Sequence, residues 1–315
     1  MTHSLIGYDA VHLPDGVAVW ERSPRGLLEL RGADRISFLQ GMVSNDVAAI
    51  MPGDTCHAAL LDSTGHILAD LRVHAFPDSL VLETDPACFS TLHTTLDKFL
   101  IMEDVALADL SAHWILWSVL GEGTAALTAL PGERRPRAFP LAPGFDLWLT
   151  AGQVAAAEAA LPPSAVRLSA EAVETLRVEA RLPTWGHELS PAVLLPEAEM
   201  ADAVSYTKGC YVGQEIVARL HARGHTNRAL RALLLAEDAP VPPPGTLVYV
   251  PEDGPEPGRE IGRLTSAVAS PQLGGRTLAL AYLRKEYLAE GTPLSVQIEQ
   301  PGGALFAYGA VVQGV

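Results

Sequence analysis

A chain of 315 residues with 48% apolar and 19% charged side chains has a globular composition and is long enough for two or three domains with their own cores. Its 22 basic and 37 acidic residues leave a formal charge of −15, which repels phosphate backbones and argues against a direct grip on nucleic acid. Three scattered cysteines, Cys56, Cys88 and Cys210, form no CxxC pair and are too few to hold an iron–sulfur cluster within one chain; so sparse a set points to a reducing, cytoplasmic setting.

The chain opens on MTHSLIGYDAVHL, which lacks the basic start and apolar core expected of a signal peptide. Leu27–Leu30 reads as a short strand, after which Asp34 caps a helix with Ile36, Phe38, Leu39 and Met42 on its apolar side. A meander follows, with strands predicted at Cys56–Leu61, Ile67–Ala75 and Leu80–Glu83, punctuated by Ser63-Thr64-Gly65 and Pro77-Asp78. A helix over Ala87–Leu100 and a strand over Val105–Leu110 complete a first α+β domain, residues 1–110. A second spans 111–236: strands at Trp114–Leu120 and Phe145–Leu149, helices at Thr124–Leu130 and Gln153–Leu161, and a helix to about Ala180 capped by Ser169. Apolar runs such as Trp114–Leu120 are too short to span a bilayer, so no membrane is expected. Near residue 237 the stretch Asp238–Gly245, rich in proline, reads as a stiff joint. Beyond it, in 237–315, short strands at Thr246–Val250, Glu260–Ala269, Leu278–Leu283, Leu294–Glu299 and Leu305–Val312 predict a small antiparallel β-barrel, with a hairpin tip at 251–258.

The most specific string is Lys208-Gly209-Cys210-Tyr211-Val212-Gly213-Gln214-Glu215. It sets Cys210 at the mouth of a predicted helix striped by Ile216, Val217 and Leu220 and stopped by Gly224. A thiol at a helix N-terminus ionises more readily than a free one, and Lys208 adds to that field. Glu215, Arg219 and Arg223 stand at i, i+4 spacing; they form either an exposed ion-pair ladder or, with Gln214 and Arg219, part of a pocket wall. His221 and His225 have metal-ligand spacing, but no third ligand is apparent. Asp70, in Gly65–Val73, is either a proton acceptor or a solvent-facing residue of an alternating strand.

The octapeptide resembles the signature of the YgfZ-type folate-binding proteins, relatives of the glycine-cleavage T-protein (aminomethyltransferase), and the order of elements resembles that family over nearly the whole chain. The resemblance implies an α+β fold in which two ferredoxin-like α+β domains and a C-terminal antiparallel barrel surround a channel for tetrahydrofolate. It implies that Asp70 lies beside the reactive part of the folate and that Glu179, in Arg177–Pro183, binds the pterin ring. Arg181 occupies a position where the family often has glycine. Trp185, just downstream, either stacks on a flat ring or belongs to the core, and Asn45, in Ser44-Asn45-Asp46, which resembles the family's Asn-Asp pair, lines the channel or caps a turn. Lys208, Gln214 and Arg219 join the ligand-binding candidates, with Cys210 and Asp70 as the chemical ones. Three functions remain open at this point. One is a tetrahydrofolate-binding accessory protein of iron–sulfur cluster assembly or repair, with cluster-assembly or client proteins as partners and an indirect effect on tRNA-modifying enzymes. The others are a folate-dependent one-carbon transferase and a non-catalytic interaction module.

Overall fold

The computed structural model describes residues 5–224, 226–251, 258–299 and 304–314. His225 and positions 252–257 of the expected hairpin tip lie outside the described residues. The first half contains β1 (Ala18–Glu21), β2 (Gly26–Arg31), α1 (Arg35–Met42), β3 (Thr55–Leu61), β4 (Ile67–Ala75), β5 (Ser79–Thr84), α2 (Pro86–Phe99) and β6 (Ala106–Asp109). Then come β7 (Ile115–Leu120), β8 (Glu133–Arg135), β9 (Gly144–Leu149), α3 (Val154–Ala160), β10 (Val166–Arg167), α4 (Ala170–Glu179) and α5 (Gln214–Arg223). The last strands are β11 (Arg228–Leu235), β12 (Leu247–Tyr249), β13 (Glu260–Ala269), β14 (Thr277–Arg284), β15 (Pro293–Glu299) and β16 (Leu305–Val312). The helix expected at Thr124–Leu130 is instead a short 3-10 turn, Glu122–Ala126. Asp34 stands at the start of α1, but its carboxylate accepts the Asp104 N–H (2.8 Å) rather than capping the helix. No helix among the described residues is long and apolar enough to cross a membrane.

The chain divides into two units: one runs to Val173 and takes in Ala201–Ile216, the other joins Glu174–Met200 to the residues from Val217 onward. The first unit holds two five-stranded sheets, ordered β3-β4-β5-β2-β6 and β10-β1-β7-β9-β8. β1 joins the second sheet, antiparallel to β7 and parallel to β10, so the segment before residue 110 serves both sheets.

Strand alternation explains how the sheets meet. In β4, Leu71, Val73 and Ala75 share one face with Leu82 of β5, the face that α2 covers with Leu92 and Leu96. Gly26 on β2 is required there, since a Cβ would fall 2.9 Å from the Phe89 ring. The other face of β4 presents Asp70, Arg72 and His74, in register with His57 and Thr55 on β3 and Glu83 on β5. In the second sheet, Val19, Trp117, Val119, Phe145 and Leu147 pack beneath Ala157 of α3. Its opposite face carries Ser118, Asp146 and Trp148, and meets the polar face of the first sheet.

That meeting is charged and dry. Arg22 bridges the Glu83 carboxylate and Asp146 (2.8 Å); Glu83 also receives Arg25 (3.0 Å) and His74 (3.1 Å), and Ser118 donates to Asp146 (2.6 Å). Burial works against the Glu83 anion, but Arg22, His74 and Arg25 outweigh it and hold the group well below the usual carboxylate range. Beside this network sits a small apolar cluster of Leu27, Val81, Leu116 and Trp148.

In the second unit, β11-β14-β13-β12-β15-β16 closes into a barrel, with β16 pairing back onto β11. Its first strand precedes the proline-rich stretch and is not expected from the sequence, because Arg228 and Arg231 break up the apolar run and mask its period. Inward positions alternate along β15 as Leu294, Val296 and Ile298 and fill the barrel with Leu233, Leu264, Leu283 and Val312.

Candidate functional site

The stretch Ala201–Gly213, which carries most of the octapeptide, lies beside β3, the edge strand of the first sheet, and is anchored chiefly to the end of α1 and the turn after it. Buried Ser44 donates through Oγ to Ala203 O (2.6 Å) and accepts the Ala59 N–H (2.8 Å), while its own carbonyl accepts the Ser205 N–H (3.0 Å). Asn45 donates through Nδ2 to His57 O (2.7 Å) and Asp202 O (2.8 Å), and its Oδ1 takes the Asp46 N–H. Both amide hydrogens are thus committed to main chain, which gives Asn45 the placement of a brace. Gly213, at φ +82°, lies so close to Asp62 that a Cβ would fall 2.5 Å from its carbonyl oxygen. That contact explains the second glycine of the string.

Lys208 is the central anchor. Its ammonium donates to Gln40 O (2.7 Å), Val43 O (2.8 Å) and Asn45 O (2.7 Å), and so uses all three of its donors. Burial pushes its pKa down to about 8, with Asp46 and Cys56 pulling the other way. The expected roles of Lys208 as a ligand contact and an activating charge on Cys210 give way to this anchoring.

Cys210 is exposed. α5 begins only at Gln214, whose N–H donates to Tyr211 O (3.2 Å), so the expected placement of the thiol at a helix N-terminus is corrected. Three residues intervene, and the helix field falls off within one turn. The other two thiols are withdrawn: burial pushes Cys56 up to about 11 and Cys88 up to about 12.

Beside this segment lies a charged cluster built on β3 and β4. His57 Nε2 meets Asp70 Oδ1 at 2.5 Å, and His57 Nδ1 meets Asp202 Oδ2 at 2.8 Å. Arg72 Nη1 reaches both oxygens of Asp70 at 3.2 Å. Burial opposes the Asp70 anion, but Arg72 and His57 overcome it and hold the carboxyl far below its ordinary range. Burial and Arg72 disfavour the His57 cation, yet Asp70 and Asp202 raise its pKa on balance. The hydrogen bond from His57 lowers Asp202 in turn. Asp70 therefore stands as an anion engaged by the Arg72 guanidinium and by His57, and a group held that way is a poor proton acceptor.

The remaining candidates are spread over the chain. In the second unit, the Glu179 carboxylate at the end of α4 accepts the Ser270 hydroxyl. Arg181 takes φ +55°, the conformation that glycine adopts at lowest cost, and its guanidinium donates to Gly314 O. Trp185 is half-buried in a tight turn in which Thr184 O accepts the N–H groups of His187, Glu188 and Leu189. Next to it Glu188 is buried and fully engaged by Arg177 (2.9 Å), Thr265 (2.8 Å) and Ser266 (2.7 Å). A β-bulge in β13 between Leu264 and Ser266 turns both hydroxyls toward Glu188. On α5, Gln214 is half-buried and Arg219 exposed, and no Glu215–Arg219 ion pair closes among the described residues.

Sequence reasoning missed His57, Arg72 and Asp202. A signal existed for Arg72 alone: Asp70, Arg72 and His74 recur at every second position of a strand that is otherwise apolar, which marks a polar face turned inward. Asp202 had none, because its role depends on a return of the chain across a long separation.

Comparison with known proteins follows the same outline. The family model of the glycine cleavage T-protein C-terminal barrel domain matches residues 228–305. The chain is 27% identical over 241 residues to the mitochondrial iron–sulfur cluster assembly factor IBA57 homolog of Mycosarcoma maydis, a match covering 71% of this chain and 58% of that protein. It is 28% identical over 321 residues to an aminomethyltransferase of Exiguobacterium sibiricum, covering 92% and 84% respectively. The solved aminomethyltransferase T of Bartonella henselae superposes with a TM-score of 0.82 over 95% of this chain and 85% of its own, at 20% identity, which is a likeness of fold.

Proposed function

We propose that the chain, which is similar to the glycine-cleavage T-protein in fold and in its C-terminal barrel, is a YgfZ-type relative of it, a cytoplasmic accessory protein that binds tetrahydrofolate and supports assembly or repair of iron–sulfur clusters held by other proteins. Cluster-dependent enzymes, tRNA-modifying ones among them, are affected indirectly. The observation that carries this reading over group transfer is the pairing of an exposed thiol with a neutralised acid. Cys210 stands on a segment anchored along its length, whereas Asp70 is matched by His57 and Arg72.

The side chains fit folate binding better than folate chemistry. A carboxylate such as Glu179 accepts two parallel N–H bonds from an aminopyrimidinone edge and so fixes its orientation. Tetrahydrofolate would supply a nucleophilic nitrogen for one-carbon units, and Asp70, engaged by Arg72 and His57, makes a poor base for drawing a proton from it.

Calorimetric titration with tetrahydrofolate under reducing conditions tests the reading. Wild type is expected to saturate, Glu179→Gln to bind about tenfold more weakly through loss of a charged hydrogen bond, and Cys210→Ser to bind as wild type does. In cells, Cys210→Ser is expected to lower cluster-enzyme activity while the protein stays folded. Absence of binding by wild type overturns the folate assignment. The similarity to an aminomethyltransferase keeps one rival in view, and formation of methylene-tetrahydrofolate from an aminomethylated carrier would establish it instead.

A further inference from the structure

Both ring nitrogens of His57 meet carboxylates, one from β4 and one from the segment that bears Cys210. Only the imidazolium can donate at both nitrogens. Asp70 is nearly enclosed, at 11% exposure, while the Asp202 side chain is 71% exposed. The two bridges are therefore unequal when one proton is withdrawn. The buried carboxylate has no water to replace its partner and retains the remaining N–H at Nε2, whereas Asp202 is left facing the Nδ1 lone pair and has solvent to turn to.

We propose that His57 is a positioning residue that latches the thiol-bearing segment Ala201–Gly213 to the first sheet through Asp202, and that the latch opens when the imidazolium gives its Nδ1 proton to solvent. The proposed function supplies the meaning of Cys210; the latch itself is read from the geometry of the first unit. The charged groups around the ring are Asp70 and Arg72 on β4 and Asp202 on the segment, with Arg25 acting on Asp70 from a distance. Lys208 pins the same segment by three carbonyls and titrates as well, so the His57 step has to be separated from it. The sign follows from a raised histidine: the bridge is complete below the ordinary histidine pKa of about 6.5 and is lost as pH rises through the higher folded value.

Amide hydrogen exchange between pH 6 and 9, corrected for intrinsic rates and run without folate, reads the latch at Ser205 and Val212, whose N–H groups bond Ser44 O and Gly41 O. Wild-type protection in this segment is expected to fall about tenfold more across the range than that of His57→Gln, the size of one charged hydrogen bond. Asp202→Asn should start less protected at pH 6 and lack the same step, and the His57 ring signal should titrate above the ordinary range in wild type and lower in Asp202→Asn. Protection of Ile67–Ala75 serves as the folding control; if His57→Gln fails it, Asp202→Asn, altered at an exposed side chain, carries the test. A wild-type profile retained by either variant, or a His57 ring titrating at or below about 6.5, overturns the latch. Because folate is absent, a flat profile alongside saturable folate binding sinks the latch alone, and an intact profile without folate binding sinks only the function.

Discussion

Between the two sheets of the first unit, Arg22, His74, Glu83, Ser118 and Asp146 are buried in contact with one another, whereas the barrel of the second unit is filled with aliphatic side chains from Leu233 to Val312. The two interiors answer differently to change. A hydrocarbon core asks mainly for volume and tolerates swaps that keep it. A buried ion network asks for identity, since each member left alone is an uncompensated charge.

The largest expected effect is on the network. Arg22→Met removes the ion-pair partner of Asp146 and leaves Glu83 with Arg25 and His74, and should cost about 3–5 kcal/mol in urea unfolding. In the barrel, Leu283→Ala should cost about 3 kcal/mol, while Leu283→Met should cost less than about 1.5 kcal/mol. If Leu283→Met hurts as much as Arg22→Met, the contrast between the two interiors fails. Acid sharpens it further. Glu83 and Asp70 are held below their ordinary ranges, so the stability they add is complete above the ordinary carboxylate pKa values of about 4 and is lost as pH falls through the folded values. The urea midpoint should therefore drop steadily below about pH 4, and Glu83→Gln should flatten that slope. The smallest effect belongs to exposed Arg219 on α5, where Arg219→Ala should change stability by no more than about 0.5 kcal/mol.

The same contrast governs what the amino-acid sequence reveals. Strands bounded by turn residues, such as β13 and β16, are legible to the residue because those boundaries are local signals. β1 and β11 are not: the first pairs with strands far along the chain, and the second hides its period behind two arginines. Cys210 stands out in the sequence through the string that carries it, but the start of the helix after it does not, because Gly213 turns the backbone before α5 begins. Lys208 and Asn45 read as ligand groups and serve as braces; their acceptors are carbonyls of a distant turn and strand, which no spacing discloses.

The position of β1 has a consequence for how the molecule comes into being. At roughly 5–20 residues per second, the strand leaves the ribosome and waits seconds for Ile115–Leu120, then longer for Val166–Arg167, before it can be seated between them. Made early and placed late, it passes that interval as an unpaired apolar edge open to wrong partners. Deleting it would not shorten the second sheet from outside but would open a gap within it, parting β10 from β7. The first unit is thus stitched by its own leading end, and neither sheet is a piece that can be cut away and kept.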